Sequence, residues 1–245
     1  MQVVITMAGL GQRFKDSGYT DPKPFIKIKN KFMFEYLIEK FPIHWNIFFV
    51  INEDLENKYI NILNLKNLNS KIIKTKYSER GPIDTVLTAL PYLDLNEPTI
   101  ISYCDFSLEW IASDFEEKIL DYDAAVVGYT GKHQTFLGPN SYCHYLVQND
   151  QVTELQEKKL YTDSLENEWT SCGLYYFKSA AFLKECLAEQ EKQNLCYNNQ
   201  EYYTSLSLQA ALNINPNLRI LNYQIYKFYQ FGTPFDIDLY LNNHQ

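Results

Sequence analysis

Along the first 130 residues, short β-branched apolar runs alternate with segments whose apolar residues recur at helical spacing. Val3, Val4 and Ile5 form a run ending at Gly9, which predicts a buried strand. Further strands are predicted at 47–51, 71–75, 99–103 and 124–129. Helices are predicted at 32–41, where Phe32, Met33, Tyr36, Leu37 and Phe41 share a face, and at 55–63, 84–90 and 110–120. The third of these starts near Pro82, a residue suited to a first turn. This alternation predicts an α/β fold with a mostly parallel central sheet and helices on both faces. In such sheets ligands sit beyond the carboxyl ends of the strands. The exits at Met7 and at Cys104 should then face one crevice. Residues 131–245 change character. Strands at 142–147, 151–156, 170–177, 219–223 and 226–231 are interleaved with helices at 180–191 and 202–212. With no repeat and no Gly/Ser linker, the chain is expected to be one domain, 1–245, with halves 1–130 and 131–245.

Composition narrows the class. The 22 basic and 30 acidic residues give a net charge of −8 with no basic run, which argues against nucleic-acid binding. No apolar run approaches a membrane span, and the N-terminal residues lack the charged and apolar regions of a signal peptide. The five cysteines are scattered and none forms a C-x-x-C pair, so a reducing cytoplasm is expected and a zinc ribbon is not. The 20 Tyr and 15 Phe are a large aromatic share, part of which should line a polar cleft.

Two features carry chemistry. Gly9-Leu10-Gly11-Gln12-Arg13-Phe14 is followed by Pro22-Lys23-Pro24. A Gly-rich turn lets backbone N–H groups approach phosphate, and Arg13 and Lys23 add two cations. Phosphoryl and nucleotidyl transfer need such charge. Neither a P-loop nor a third dinucleotide-fingerprint glycine is present, and a plain turn with two solvated cations is the competing explanation. The second feature is Asp105, at the exit of a buried strand. It suits Mg²⁺ beside phosphates, and it equally suits a helix cap.

The segment from Met7 to Phe14 with Pro22-Lys23-Pro24 resembles the signature of the sugar-phosphate nucleotidyltransferases, whose fold is of the GT-A type. The resemblance runs in order along nearly the whole chain. It implies that Met7, Ala8, Gly9, Gly11, Arg13, Lys23, Gly81 and Asp105 hold a nucleoside triphosphate, with Asp105 on the metal. On the acceptor side it implies Glu157, Lys158 paired with the acceptor phosphate, Gly173, Tyr176 and Tyr203; Gly232-Thr233-Pro234 with Asp236 resembles the closing motif. The first half would then bind nucleotide and the second the acceptor. Segments 130–133, 157–163 and 201–206 are similar to a bacterial subgroup associated with capsule and surface-polysaccharide loci. The loop around His133, with Gly131, Gly138 and Pro139, is either an acceptor-side flap or a plain surface loop.

Two positions depart from the family pattern. Gln230 stands where a second metal carboxylate is usual, which predicts a weaker metal site, and Tyr103-Cys104 precede Asp105. Cys104 has no nearby histidine in sequence and is expected to be an inert thiol. The reading is a Mg²⁺-dependent nucleotidyltransferase in which an acceptor phosphate attacks a nucleoside triphosphate and pyrophosphate leaves. A sugar 1-phosphate is the first candidate acceptor and a phosphorylated polyol or small alcohol the second. Arg13 would hold the pyrophosphate, Lys23 the α-phosphate and Asp105 the metal. A glycosyltransferase on the same fold and an inactive nucleotide-binding relative are the rivals. The nucleobase and any homo-oligomer are left open.

Overall fold

The structure, a computed structural model, describes residues 1–66, 69–133 and 140–244. Gly138 and Pro139 of the His133 loop lie outside the described residues. In chain order the first strands are β1 (Gln2–Met7), β2 (Lys27–Ile28), β3 (Lys31–Phe32), β4 (Asn46–Asn52), β5 (Ser70–Thr75), β6 (Thr99–Tyr103), β7 (Phe106–Glu109) and β8 (Ala124–Tyr129). They are followed by β9 (Cys143–Gln148), β10 (Gln151–Glu157), β11 (Trp169–Phe177), β12 (Ile220–Gln224) and β13 (Lys227–Gln230). The helices are α1 (Gln12–Asp16), α2 (Met33–Ile38), α3 (Asn57–Lys66), α4 (Pro82–Ala89), α5 (Ala112–Lys118), α6 (Ala180–Lys192), α7 (Thr204–Ile214) and α8 (Pro234–Asn243).

One sheet in the order β5-β4-β1-β6-β11-β8-β12-β10-β9 joins both halves of the chain. The strands β5, β4, β1 and β6 are parallel neighbours, as the alternating pattern predicts. The second half modifies that arrangement. β11 runs antiparallel between β6 and β8, and β10 runs antiparallel between β12 and β9. The sheet is therefore mixed in its pairings, although β8, β12 and β9 point the same way as β1. The β9–β10 hairpin closes on Asn149 and Asp150, both at positive φ, the backbone that a two-residue turn matched to strand twist requires.

The central strands read as unbroken apolar runs because both of their faces are covered. Val3, Ile5 and Met7 of β1 face a cluster that includes Phe34 and Leu37 of α2, Tyr59 and Leu63 of α3 and Phe115 of α5. Val4 faces the other side, with Ile83 and Val86 of α4, Leu183 and Leu187 of α6 and Leu208 of α7. A third, smaller cluster joins Phe14 of α1 to Phe231 and Ile237, so the first loop and the end of the chain share one apolar anchor. Burying Phe231 alone contributes about 1.5–3 kcal/mol.

Several short elements have no counterpart in the predicted pattern: α1, the β2–β3 hairpin, β7 and α8. The strand β7 pairs with β13 as a separate two-stranded ribbon, with Gln230 opposite Phe106. Beyond the ribbon, the Phe231 N–H donates to the Asp105 carbonyl at 2.8 Å. The closing segment is thereby pinned to the exit of β6.

Gly128 in β8 lies where β9, β11 and β12 crowd together. A Cβ there would run into the Tyr145 hydroxyl, which itself donates to Asn222 Oδ1 at 3.0 Å, and would lie 2.6 Å from the Thr170 carbonyl oxygen. Gly128→Ala is expected to lower the unfolding free energy by about 1–3 kcal/mol through overpacking. The measurement is the urea midpoint, and an unchanged midpoint would mean that this junction yields without cost.

Candidate active site

The site begins with register. β1 and β6 are parallel neighbours, with Thr6 opposite Tyr103, so the segments leaving both strands emerge side by side. Met7, Ala8, Gly9, Gly11, Arg13, Lys23 and Asp105 all line one cleft of about 470 Å³, together with Gly81 on its far wall. Gly11 sits at φ 65, a conformation open to glycine, and opens α1. A Cβ on it would come 3.0 Å from the Lys23 Cβ, so the glycine turn and the Pro-Lys-Pro segment are in contact. Gly81, at φ 83, opens α4, and Pro82 takes the first helical position as its fixed φ suits.

Lys23 Nζ meets Asp105 Oδ2 at 2.5 Å, and both side chains are about three-quarters buried, with 22% and 27% exposure. Burial pulls the Lys23 ammonium towards neutrality, and the Asp105 carboxylate outweighs that pull, leaving its pKa above the ordinary value. The lysine is cationic throughout the physiological range. Arg13 lines the same cleft from an exposed position on α1. Cys104 is buried and its thiol is pushed up to about 12 by that burial, so it is inert, as the sequence suggests.

Gln230 and Gly232 also line the cleft. Three polar atoms converge at Gly232. The point where an alanine Cβ would sit there is 3.2 Å from Gln230 Nε2, 3.4 Å from Asp105 Oδ2 and 3.6 Å from Asp236 Oδ2. Asp236 is held by the capping box of α8, where its Oδ2 accepts from the Thr233 N–H and the Thr233 hydroxyl, each at 2.7 Å. Burial raises the Asp236 pKa, and the nearby Asp105 charge raises it further. No cluster of three or more His, Cys, Asp or Glu side chains with metal-ligating spacing is found among the described residues.

At the other end lie Glu157, Lys158, Gly173 and Tyr203. Gly173 is at φ 92, and a Cβ on it would lie 2.7 Å from Tyr103 Cδ2, so the Tyr103 ring packs directly on the glycine. Lys158 Nζ donates to the Tyr203 hydroxyl at 2.5 Å, lies 3.5 Å from Glu201 Oε2, and sits 4.5 Å from the ring centres of both Tyr197 and Tyr203. Glu157 is buried and accepts from Ser205 Oγ at 2.6 Å. Burial lifts its pKa to about 7. Tyr103 and Tyr142 line the cleft, and the Tyr142 hydroxyl is buried with no hydrogen-bond partner.

One expectation is corrected. Tyr176 does not line the cleft: it is buried in the other face's cluster, edge-on to Phe115 at 5.9 Å. Side chains alternate across a strand, so its neighbour Tyr175 takes the cleft side. Tyr142, Tyr175 and Glu201 also line the cleft and were not among the candidate site residues. For the two tyrosines only polar aromatic character hinted at a cleft. His133 packs at a tilt against Tyr129 with ring centres 4.2 Å apart, and burial lowers its pKa.

The folded-state pKa of Glu157 lies above its unfolded value, so this group stabilises the protein at low pH. That contribution is lost as pH rises from about 4.5, the ordinary value, to about 7. Glu157→Gln keeps an oxygen for Ser205 and removes the titration. Its thermal midpoint relative to wild type should be higher at pH 8 than at pH 5. A midpoint difference independent of pH would overturn this assignment.

The chain matches the model of the MobA-like NTP transferase domain over residues 3–169. It is 26% identical over 228 residues to the CTP:phosphoglutamine cytidylyltransferase of Campylobacter jejuni, covering 86% of this chain and 88% of that one. It is also 28% identical over 193 residues to the bifunctional protein GlmU of Methanocaldococcus jannaschii, covering 74% of this chain and 41% of that larger protein. Among solved structures, a nucleoside-diphosphate-sugar pyrophosphorylase from Vibrio cholerae superposes with a TM-score of 0.78 at 18% identity, over 99% of this chain and 100% of that one. An inositol-1-phosphate CTP transferase from T. maritima superposes with a TM-score of 0.73 at 14% identity, over 96% and 90% of the two chains. The matched segment spans the glycine turn, Lys23, Asp105 and Glu157, and this chain belongs to the MobA-like NTP transferase family and is a nucleotidyltransferase.

Proposed function

We propose that this nucleotidyltransferase joins a nucleoside triphosphate to a phosphorylated small molecule and releases pyrophosphate. The observation behind this reading is the meeting of Lys23 with Asp105 beside the glycine turn, which gathers cation, carboxylate and backbone donors at one end of the cleft. In the reaction an acceptor phosphate oxygen forms a bond to the α-phosphorus, and the bond from that phosphorus to the bridging oxygen of pyrophosphate breaks. The attacking oxygen is already ionised, so no general base is required. Catalysis is positioning and charge stabilisation.

Each residue then has a task. The Gly9–Gly11 turn presents backbone N–H groups to the phosphates. Arg13 holds the leaving pyrophosphate, Lys23 stabilises the α-phosphate, and the α4 entrance at Gly81 bounds the base. Nucleotidyltransferases of this kind generally use a divalent metal. The donor set fits Mg²⁺, since Asp105 and Asp236 direct carboxylate oxygens towards the open point beside Gly232. When bound, the metal neutralises phosphate charge; Asp105 is the residue that would hold it. At the acceptor end, Glu157, Lys158, Gly173 and Tyr203 contact the acceptor.

A sugar 1-phosphate is the leading acceptor class, because most of the similar structures act on sugar nucleotides by name. The Campylobacter relative and the T. maritima structure are CTP enzymes by name, so CTP heads the triphosphates to be tried. A role in capsule or surface-polysaccharide precursor synthesis and a place in the cytoplasm, where triphosphates are abundant, complete the proposal. No helix among the described residues is long and apolar enough to cross a membrane. Gln230 favours one alternative, a nucleotide-binding relative that does not turn over.

The test is pyrophosphate release from four triphosphates against a panel of sugar phosphates and phosphorylated alcohols. Turnover supports the proposal, and nucleotide binding without turnover supports the alternative. With an active pair in hand, Arg13→Ala and Lys23→Ala should each lower kcat by roughly 10²–10³, the cost of losing one such donor. Asp105→Ala should abolish turnover while leaving the far-UV circular dichroism unchanged. Near-normal kinetics in all three variants would reject the assigned roles.

A further inference from the structure

The usual second metal carboxylate is absent at residue 230, yet the site does not lack a second acid. The closing segment is fixed against Asp105 by the Phe231 N–H bond to the Asp105 carbonyl and by the buried Phe231 ring. That fixed segment brings Asp236, at the start of α8, to the same open point as Asp105. We propose that Asp236 is the second acidic residue of the metal site, replacing the charge missing at Gln230, and that Gly232 is the residue whose missing side chain leaves room for the ion.

Three observations converge. First, Asp105 Oδ2, Asp236 Oδ2 and the Gln230 amide all lie within 3.6 Å of the place a Gly232 Cβ would take; that place is one bond from the Gly232 Cα, so an ion would sit beside it, in the space the missing side chain leaves open. The two amide ends of Gln230 are interchangeable by rotation, so its oxygen can face the point as readily as its nitrogen. Second, the carboxylates of Asp105 and Asp236 act on each other and both act on the Tyr142 phenol, whose buried hydroxyl has no partner. Asp105 and Tyr142 line the cleft, Asp236 reaches the cleft-lining Gly232 from the start of α8, and the Lys23 ammonium is paired with Asp105. Third, the capping box holds Asp236 in place through Thr233. Both bonds from Thr233 fall on Oδ2, so the lone pairs left for a metal-bound water are those of Oδ1, and the carboxylate's charge acts on the site from its fixed place.

The spacing bears on how each acid acts. Direct Mg²⁺–oxygen contacts are about 2.0–2.1 Å, and Mg²⁺ usually keeps several waters. Asp105, on the loop, closes on the ion, while Asp236, fixed by its cap, acts at longer range through the hydration shell and through its charge. Asp236 therefore serves a dual purpose, as cap of the last helix and as counter-charge of the metal. The inference rests on the nucleotidyltransferase reading for the identity of the ion.

Gly232 provides the sharpest test. It is not among the glycines at positive φ, so Gly232→Ala brings no backbone strain, and its methyl would fill the space beside Asp105 once the flexible amide end of Gln230, 3.2 Å away, gives slightly. Calorimetric titration of Mg²⁺ and of Mn²⁺, with a non-hydrolysable triphosphate present, is the readout, and the thermal midpoint is measured on each protein. Gly232→Ala should weaken metal binding at least tenfold with an unchanged midpoint. Asp236→Asn, which can still cap the helix, should weaken it about tenfold, and Gln230→Asp should tighten it. Unchanged metal affinity in Gly232→Ala and Asp236→Asn would overturn the proposal, as would the absence of metal binding in the wild-type complex. Should Asp236→Asn fail to fold, Gly232→Ala decides alone. If the variants lose metal as expected but no triphosphate and acceptor give pyrophosphate, the cradle stands and the catalytic reading falls.

Discussion

The parallel register of β1 and β6 is the constraint from which the site follows. Two strands that pair in the same direction must release their chains at the same edge, and Thr6 opposite Tyr103 sets those exits level. The glycine turn and Asp105, nearly a hundred residues apart in sequence, are thereby neighbours. The Lys23–Asp105 contact at 2.5 Å is a consequence of that register and of the close packing of Gly11 on Lys23. A one-residue slip would turn every side chain of β1 to the other face of the sheet and would exchange the two apolar clusters it serves.

The antiparallel insertion of β11 gives the cleft its second end. Because β11 lies between β6 and β8, its residues reach the cleft from the direction opposite to β1 and β6, and Gly173 comes under the Tyr103 ring. The β9–β10 hairpin and α7 then bring Glu157, Glu201, Tyr203 and Ser205 to the same region. The two ends differ in electrostatic character. The end at the glycine turn has Arg13 and Lys23 beside Asp105, whereas the other end has a Lys158 ammonium boxed by two tyrosines and Glu201, and a buried carboxyl at Glu157 whose pKa is pushed up to about 7. On the proposed reaction, each end supplies cationic charge to one of the two phosphorylated substrates.

Closure of the site depends on a small apolar cluster remote from the main sheet. Phe14, Phe231 and Ile237 bind α1, the end of β13 and α8 into one unit. That unit fixes Gly232 and Asp236 against Asp105 with the help of a single backbone hydrogen bond from Phe231. The same capping box that starts α8 thus sets a carboxylate close to Asp105.

Much of this was written in local pattern. β6 and β8 coincide with the apolar runs at 99–103 and 124–129, because a strand buried on both faces leaves an uninterrupted signature. The glycine turn, Lys23 and Asp105 were legible for a related reason: their chemistry is poorly suited to packing, so they stand out where a strand ends. Gly232-Thr233-Pro234 with Asp236 stood out in the sequence as a resemblance to a closing motif, but that Thr233 and Asp236 form the capping box of α8 appeared only in the structure. Other features depended on contacts between distant segments, which no local window contains. The direction of β11 is fixed by which strands flank it, and the side of the sheet taken by Tyr175 rather than Tyr176 follows from that register. The tyrosine box around Lys158 joins β10, the segment before α7 and α7's own entrance. The convergence of Asp236 on Asp105 needs the β7–β13 ribbon and the third apolar cluster together. The sequence by itself determined which residues could do chemistry, since that depends on side-chain type and on strand ends; only the tertiary structure decided which of them meet, because meeting is set by long-range register and packing.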